Sequence, residues 1–245
     1  METEPIIVKG LRKSFGTQEV LKGIDLTVSK GEILAVLGKS GTGKSVLLRL
    51  LIGLEKSDSG SIRINGQEIT GLPMDPLNEI RKKIGFLFQQ AALYDSLTIA
   101  ENVAFPLKRN TRMSESERTD RVRELLLSVG LDKDLEKMPS DISGGMRKRV
   151  GLARALALDP EIILFDEPTA GLDPITAAEI GTLIKKLRDE RKMTSIVVTH
   201  DMHAAQYFSD RLVMLKEGEI LIAGTYSELH NSKDPFVAQF LSDAA

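Results

Sequence analysis

The spacing of apolar residues changes character along this chain, and each change predicts a different kind of element. In the N-terminal third, apolar residues come in short runs that predict strands at Ile6–Lys9, Leu21–Val28, Glu32–Leu37 and Ser61–Asn65. Between Val20 and Val28 the alternation is imperfect. Val20, Ile24, Leu26 and Val28 share a parity with Lys22, while Gly23, Asp25 and Thr27 share theirs with Leu21. Lys44–Gly53 predicts a mostly buried helix, and Ile84–Phe88 another strand.

Residues 90–140 follow a different rule. Ser114 followed by Glu117 is a capping-box pair that predicts a helix start. Val122, Leu125, Leu126 and Val129 then recur at helical spacing, and Gly130 is placed to end the helix. The stretch reads as a helical insertion. Beyond Ser143 helix and strand alternate: helix Met146–Leu158, strand Ile162–Phe165, helix Ile175–Glu190, strand Ser195–Thr199. Arg211–Leu215 and Glu219–Ala223 flank Glu217-Gly218 and predict a hairpin. Short helices at Tyr226–His230 and Pro235–Leu241 follow. Strands alternating with helices predict an α/β domain with a largely parallel sheet.

Composition narrows the function. The 245 residues are 42% hydrophobic and 28% charged, the balance of a globular chain with a sizeable core. Basic and acidic residues number 33 and 35, so no global field favours nucleic acid, and no nucleic-acid partner is expected. The absence of Cys excludes disulfides, thiolate catalysis and cysteine-held metals. METEPIIVKG lacks the charged and apolar regions of a leader, so no signal peptide is expected. The longest apolar run, Ile33–Gly38, falls far short of the roughly 20 residues of a spanning helix, so the chain is expected not to cross a membrane.

The strongest chemical signal is GKSGTGKS, Gly38–Ser45, which fits G-x-x-x-x-G-K-[ST] between a buried strand and an apolar helix. Gly38, Lys39, Ser40, Gly41, Thr42 and Gly43 form a loop whose N–H groups can turn toward phosphate oxygens, with Val46 just beyond. Lys44 is placed to reach β- and γ-phosphates, and the Ser45 hydroxyl to ligate Mg²⁺. Asp166 and Glu167 directly follow a buried strand and so point to the same crevice. Asp166 suits Mg²⁺, and Glu167 suits the general base for an attacking water. His200 ends a second such strand and suits a γ-phosphate or that water. His203 lies three residues on but lacks zinc-site spacing, and is expected exposed on a helix. Ser143, Gly144 and Gly145 precede a helix and can form a second anion site; the same residues also suit an ordinary Ser cap with turn glycines.

These residues carry a family resemblance. ISGGM, Ile142–Met146, resembles the signature motif of ATP-binding-cassette (ABC) ATPases, and it stands in the expected order between the phosphate loop and Asp166-Glu167. Phe15 in KSFG resembles the aromatic that stacks on adenine. Gln89 in GFLFQQ resembles the Q-loop glutamine, which senses Mg²⁺ and the membrane partner. AGLD, ending at Asp173, resembles the D-loop, and His200 the switch histidine. The resemblance covers essentially the whole chain. It implies one ABC ATPase domain over 1–245: a RecA-like parallel-sheet core, an N-terminal antiparallel β subdomain and a helical signature subdomain at about 90–158. It also implies ATP and Mg²⁺ as ligands, with Glu167, His200 and Lys44 catalytic. Ser45, Gln89 and Asp166 would be the metal-side residues. Phe15, the phosphate loop, Gln89, Ser143, Gly144, Gly145, Met146 and Asp173 would be the nucleotide contacts. Two copies would face head to tail, each ATP lying between one phosphate loop and the other copy's signature. The signature departs from L-S-G-G-Q at Ile142 and Met146. Met146 lacks the amide of the commoner Gln, a departure expected to slow hydrolysis.

A narrower similarity, to the ATPases of Mce/Mla-type lipid transporters, lies in GKSVLLRLLIGLEKSDSG, GFLFQQAALYDSLTIAENVAFPL, the stretch from Ile142 to Ile175 and DPFVAQFL. It implies a polytopic permease, an Mce-domain protein and, in some systems, a small STAS-domain subunit as partners. The chain would sit on the cytoplasmic face of the inner membrane, held by the permease, with Gln90–Leu107 as the contact region. A polar-solute importer ATPase for amino acids shares every nucleotide motif. A soluble cassette protein without a permease would more often carry two cassettes or long coiled coils, and a switch GTPase would need N-K-x-D, which the sequence lacks.

Overall fold

The structure, a computed structural model, describes residues 4–242. Met1–Thr3, the start of the stretch expected to lack a signal peptide, and Asp243–Ala245 lie outside the described residues, as do both ends of the domain expected over 1–245. The chain opens with β1 (Ile6–Phe15), β2 (Gln18–Val28), β3 (Ile33–Leu37), α1 (Lys44–Leu51), β4 (Ser59–Ile64), β5 (Gln67–Glu68), α2 (Met74–Arg81) and β6 (Ile84–Leu87). Then come α3 (Ile99–Asn110), α4 (Glu115–Ser128), a 3-10 turn (Pro139–Asp141) and α5 (Gly144–Ala155). There follow β7 (Ile162–Asp166), α6 (Pro174–Arg191), β8 (Thr194–Thr199), α7 (Met202–Phe208), β9 (Arg211–Lys216), β10 (Glu219–Gly224), α8 (Tyr226–His230) and α9 (Pro235–Ser242).

Two sheets form the α/β frame. One is antiparallel, in the order β2-β1-β4-β5. The other has the order β10-β9-β3-β8-β7-β6, parallel from β9 to β6 with β10 antiparallel at its edge. The parallel strands are buried on both faces, and their alternation assigns each face a core. Leu34, Val36, Ile162, Leu164, Ile196 and Val198 pack with the N-terminal strands and α1. Ile33, Ile163, Phe165 and Val197 pack with residues of α3 to α6. No helix among the described residues is long and apolar enough to cross a membrane.

The structure explains the imperfect alternation near Val20. Leu21 and Ile24 are both buried although three residues apart, because Gly23 takes a left-handed φ of 103° and the β1–β2 register shifts beside it. The bulge changes the phase of the strand, so one inward face is shared by residues of opposite parity. Helix α2 lies outside the predicted elements, and α3, within the stretch 90–140 expected to be helical, has no separately predicted bounds. The cue for α3 was present: Thr98 and Glu101 form a reciprocal capping box. Helix α5 starts at Gly144 rather than Met146, with Ser143 as its N-cap.

Candidate active site

Four neighbouring strands deliver the site residues to one edge of the sheet. In the order β3-β8-β7-β6, their carboxyl ends lead into the phosphate loop, His200, Asp166-Glu167 and Gln89. Parallel strands make this possible, because every carboxyl end opens on the same side. A cavity of about 1050 Å³ lies there, lined by Phe15, Lys39, Ser40, Gly41, Gly43, Lys44, Ser45, Val46, Gln89, Glu167 and His200.

The loop depends on glycine at two kinds of place. A Cβ on Gly38 would sit 2.6 Å from the Leu215 carbonyl oxygen, so backbone approach forbids a side chain. Gly43 combines a left-handed φ of 100° with a Cβ position only 2.7 Å from Leu21. Thr42 turns inward within the loop, its hydroxyl donating to the Lys39 carbonyl at 3.0 Å.

Lys44 is 6% exposed. Its ammonium donates to the carbonyls of Gly38 at 2.7 Å and Lys39 at 3.0 Å, and stands 4.0 Å from Glu167 Oε1. Burial lowers its pKa, while Glu167 and Asp166 oppose that shift. The Ser45 hydroxyl donates to Asp166 Oδ1 at 2.8 Å. Burial also raises Asp166 above the ordinary aspartate range, with the Ser45 hydrogen bond opposing. A buried carboxylate beside a hydroxyl is a hard-oxygen pair that fits Mg²⁺, whose charge would offset the desolvation the carboxylate suffers.

Glu167 occupies a left-handed backbone conformation, φ 49°, unusual for a residue with a side chain. Its carboxylate is held from the other side by His200, whose Nδ1 lies 2.9 Å from Oε2. The pair thus meets over the phosphate loop although the two residues are distant in sequence. His203 is exposed on α7, as expected.

Other expected site residues lie apart from this cavity within the single subunit. Ser143 caps α5, its hydroxyl accepting from the Met146 N–H at 3.2 Å. The Met146 side chain packs against the helical core rather than projecting freely. Asp173 caps α6, accepting from the Ile175 and Thr176 N–H groups and from the Thr176 hydroxyl at 2.6 Å. The hydrogen bonds from Thr176 hold its carboxyl below the usual range. Phe15 does line the cavity, 45% exposed, with the Lys13 ammonium 4.8 Å from its ring centre.

Sequence reasoning missed Lys148. It is 5% exposed, and its ammonium donates to the carbonyls of Gln89 and Glu167, the latter at 2.8 Å. Burial pushes its pKa down to about 8, against the pull of Glu167 and Asp166. Flanked by Arg147 and Arg149, it resembles a residue of a solvated basic face, and no local signal separates it from them. Two residues expected at a partner surface also have other tasks. Asn102 is fully buried, bonding the Tyr94 N–H and the carbonyls of Tyr94, Leu97 and Thr98. Glu101 closes the α3 capping box through the Thr98 N–H at 2.8 Å.

Residues 21–170 match the family model described as ABC transporter. The chain belongs to the ABC transporter family, as its ATPase cassette. It is 46% identical over 237 residues to a protein of Mycobacterium tuberculosis named "Probable ribonucleotide transport ATP-binding protein mkl", covering 97% of this chain and 66% of that one. It is 41% identical over 239 residues to "Methionine import ATP-binding protein MetN" of Brucella abortus, covering 97% of this chain and 64% of that one. The cassette thus spans a little under two thirds of the length of these relatives. Among solved structures it is similar to an ATP-binding cassette captured as a dimer in a post-hydrolysis state with ADP and Pi, at a TM-score of 0.83 and 38% identity, covering 90% of this chain and 98% of that one. It is also similar to cbiO1 of Clostridium perfringens, part of the ABC transporter complex cbiONQ, at a TM-score of 0.85 and 30% identity, covering 98% of this chain and 100% of that one.

Proposed function

We propose that this cassette hydrolyses ATP as a head-to-tail dimer and drives a separate membrane permease, and that the cargo is a phospholipid or another hydrophobic molecule moved between bacterial membranes. The observation that carries the hydrolytic reading is the meeting of Lys44, Glu167 and His200 in one cavity. Lys44 exchanges its two carbonyl partners for β- and γ-phosphate oxygens. Glu167 takes a proton from water as the water oxygen bonds to the γ-phosphorus. The bond from that phosphorus to the β–γ bridging oxygen breaks, leaving ADP and phosphate. His200 orients the Glu167 carboxylate and the departing phosphate. Ser45, Asp166 and Gln89 would hold Mg²⁺, which would supply charge stabilisation for the phosphates. Phe15 offers an exposed ring for adenine.

Ser143, Gly144, Gly145 and Met146 are not among the residues lining their own subunit's cavity, which suits a role toward the second copy's nucleotide, and Asp173 accompanies them at the α6 cap. The permease dock is a separate groove of about 410 Å³ that includes Phe86, Phe88, Tyr94, Phe105 and Arg154. An apolar, aromatic groove of this kind suits a short helix from a membrane protein. The permease would hold the cassette at the cytoplasmic face of the inner membrane, with an Mce-domain protein and a STAS-domain subunit as further partners. The lipid reading rests on the similarity of three segments and of DPFVAQFL to Mce/Mla-type ATPases. The 41% identity to a methionine import protein favours a second reading, amino-acid import.

Phosphate release by wild type and Glu167→Gln tests the chemistry. Glu167→Gln should bind ATP yet turn over about 10²-fold more slowly; normal turnover would assign the base elsewhere. Copurification of the tagged chain with its permease, together with envelope lipid analysis of a deletion strain, tests the cargo. Altered envelope lipids and raised detergent sensitivity are expected, whereas an amino-acid permease with unchanged lipids would establish the second reading.

A further inference from the structure

Helix α5 begins at Gly144, capped by Ser143, and on its second turn, about 6 Å along the axis, it carries Lys148. This ammonium is buried, yet its hydrogen-bond partners are two main-chain carbonyls from separate parts of the chain. One belongs to Gln89, just beyond β6. The other belongs to Glu167, whose left-handed backbone needs surrounding structure to hold it. The only other hydrogen bond to that carbonyl among the described residues is from the Ala170 N–H, at 3.3 Å. Burying an ammonium is costly, so a residue that does only this is unexpected unless the contact matters.

Helix α5 also has little slack. A Cβ on Gly151 would lie 2.7 Å from Leu87 at the end of β6, and one on Gly145 would lie 2.5 Å from Thr176 on α6. A helix seated this closely moves as a unit with what it touches.

We propose that Lys148 is a positioning residue that ties the N-terminus of α5 to the general base and the Gln89 segment of its own subunit, so that phosphate docking at Ser143 is transmitted to Glu167. This rests on the dimeric, hydrolytic reading above. Each copy then senses the other's nucleotide through one helix: Ser143 meets the partner's ATP, and Lys148 adjusts the backbone on which the subunit's own base is mounted. Lys148 touches no reacting atom, and its effect appears in turnover and cooperativity rather than in nucleotide affinity.

The test compares Lys148→Met, which keeps length but has no donor, with Lys148→Gln, which keeps two N–H donors without charge. Both are made in the full chain and assayed with ATP. Both should keep ATP affinity within about twofold by calorimetry. Lys148→Met should lose about tenfold or more in kcat, the scale expected for a misplaced catalytic group, with its Hill coefficient falling toward one. Lys148→Gln should recover most of both. If Lys148→Met fails to fold, Lys148→Ala, which admits water to both carbonyls, replaces it under the same criteria. Wild-type kcat and cooperativity in the donor-less variant would overturn the inference, as would an equal loss in Lys148→Gln. No turnover in wild type would overturn the proposed function as well. Turnover in wild type with an unaffected Lys148→Met overturns this inference alone.

Discussion

Two buried lysines stand on either side of Glu167, and they differ in what replaces their water. Lys44 gives up hydration for the carbonyls of Gly38 and Lys39, partners that phosphate oxygens can displace. Charge-assisted hydrogen bonds contribute about 1.5–3 kcal/mol. Lys44→Ala should therefore weaken ATP binding roughly ten- to a hundredfold by calorimetry; unchanged affinity would remove Lys44 from the nucleotide site. Asn102 is the opposite case, a buried polar residue with a wholly internal task. Its amide bonds backbone groups between Tyr94 and Thr98, so it shapes the segment before α3. Asn102→Leu should cost about 1–3 kcal/mol of stability by strandling those groups without partners. That corresponds to a Tm lower by about 2–4 °C per kcal/mol in a chain of this size. A Tm equal to wild type would show that water satisfies the segment instead.

At the scale of elements, helix starts carry much of the site. Thr98 with Glu101, Ser114 with Glu117 and Thr225 with Glu228 all form reciprocal capping boxes. Ser143 caps α5 without the acidic partner, because Met146 occupies that place and packs inward. The free N-terminus of α5 thus keeps its partial positive charge unneutralised by a side chain of its own first turn. Ser143→Arg should leave ATP binding to the subunit's own phosphate loop intact and abolish turnover by the dimer. Mixing Ser143→Arg with Lys44→Ala subunits should restore one competent site per mixed dimer. Normal turnover by Ser143→Arg alone, measured as phosphate release, would end the shared-site reading.

Across the whole molecule, one sheet edge gathers the candidate chemistry, and the aromatic groove is the proposed permease dock. Tyr94 is 46% exposed, and its ring stands 4.7 Å from that of Phe105. The α3 elements beneath it are fixed by Asn102 and by the Thr98–Glu101 box, so the rim is presented on a rigid base. Tyr94→Ala should leave ATP binding and basal turnover near wild type while transport by the assembled permease falls severalfold, as expected on losing an aromatic anchor. Glu101 is a poorer probe of coupling than its composition suggests, because its substitution opens a helix cap. Transport assays in reconstituted vesicles decide the matter: transport undiminished in Tyr94→Ala would place the dock elsewhere.

Local pattern was enough to read most elements of this protein. The phosphate loop, the buried strand before Asp166-Glu167 and the hairpin at Glu217-Gly218 depend on short-range rules of spacing and backbone freedom. Those rules are written in neighbouring residues, so the α/β class and the order of motifs follow from the sequence. The phase shift at Gly23 was not legible, because a bulge is settled by pairing with β1. Helix α3 falls inside the helical insertion that the sequence predicts and its start is marked by the Thr98–Glu101 capping box, whereas α2 has no side-chain cap to announce it. Tertiary structure alone decided which residues meet. The His200–Glu167 pair depends on β8 lying beside β7, and the separation of Ser143 from its own cavity depends on how α5 is seated. Lys148 shows the limit most clearly. Its charge and neighbours are those of a solvated lysine, and only packing against β6 and the end of β7 removes it from water and turns it toward two carbonyls. Burial of a side chain is a property of the assembled fold, because the groups that exclude the water come from distant parts of the chain.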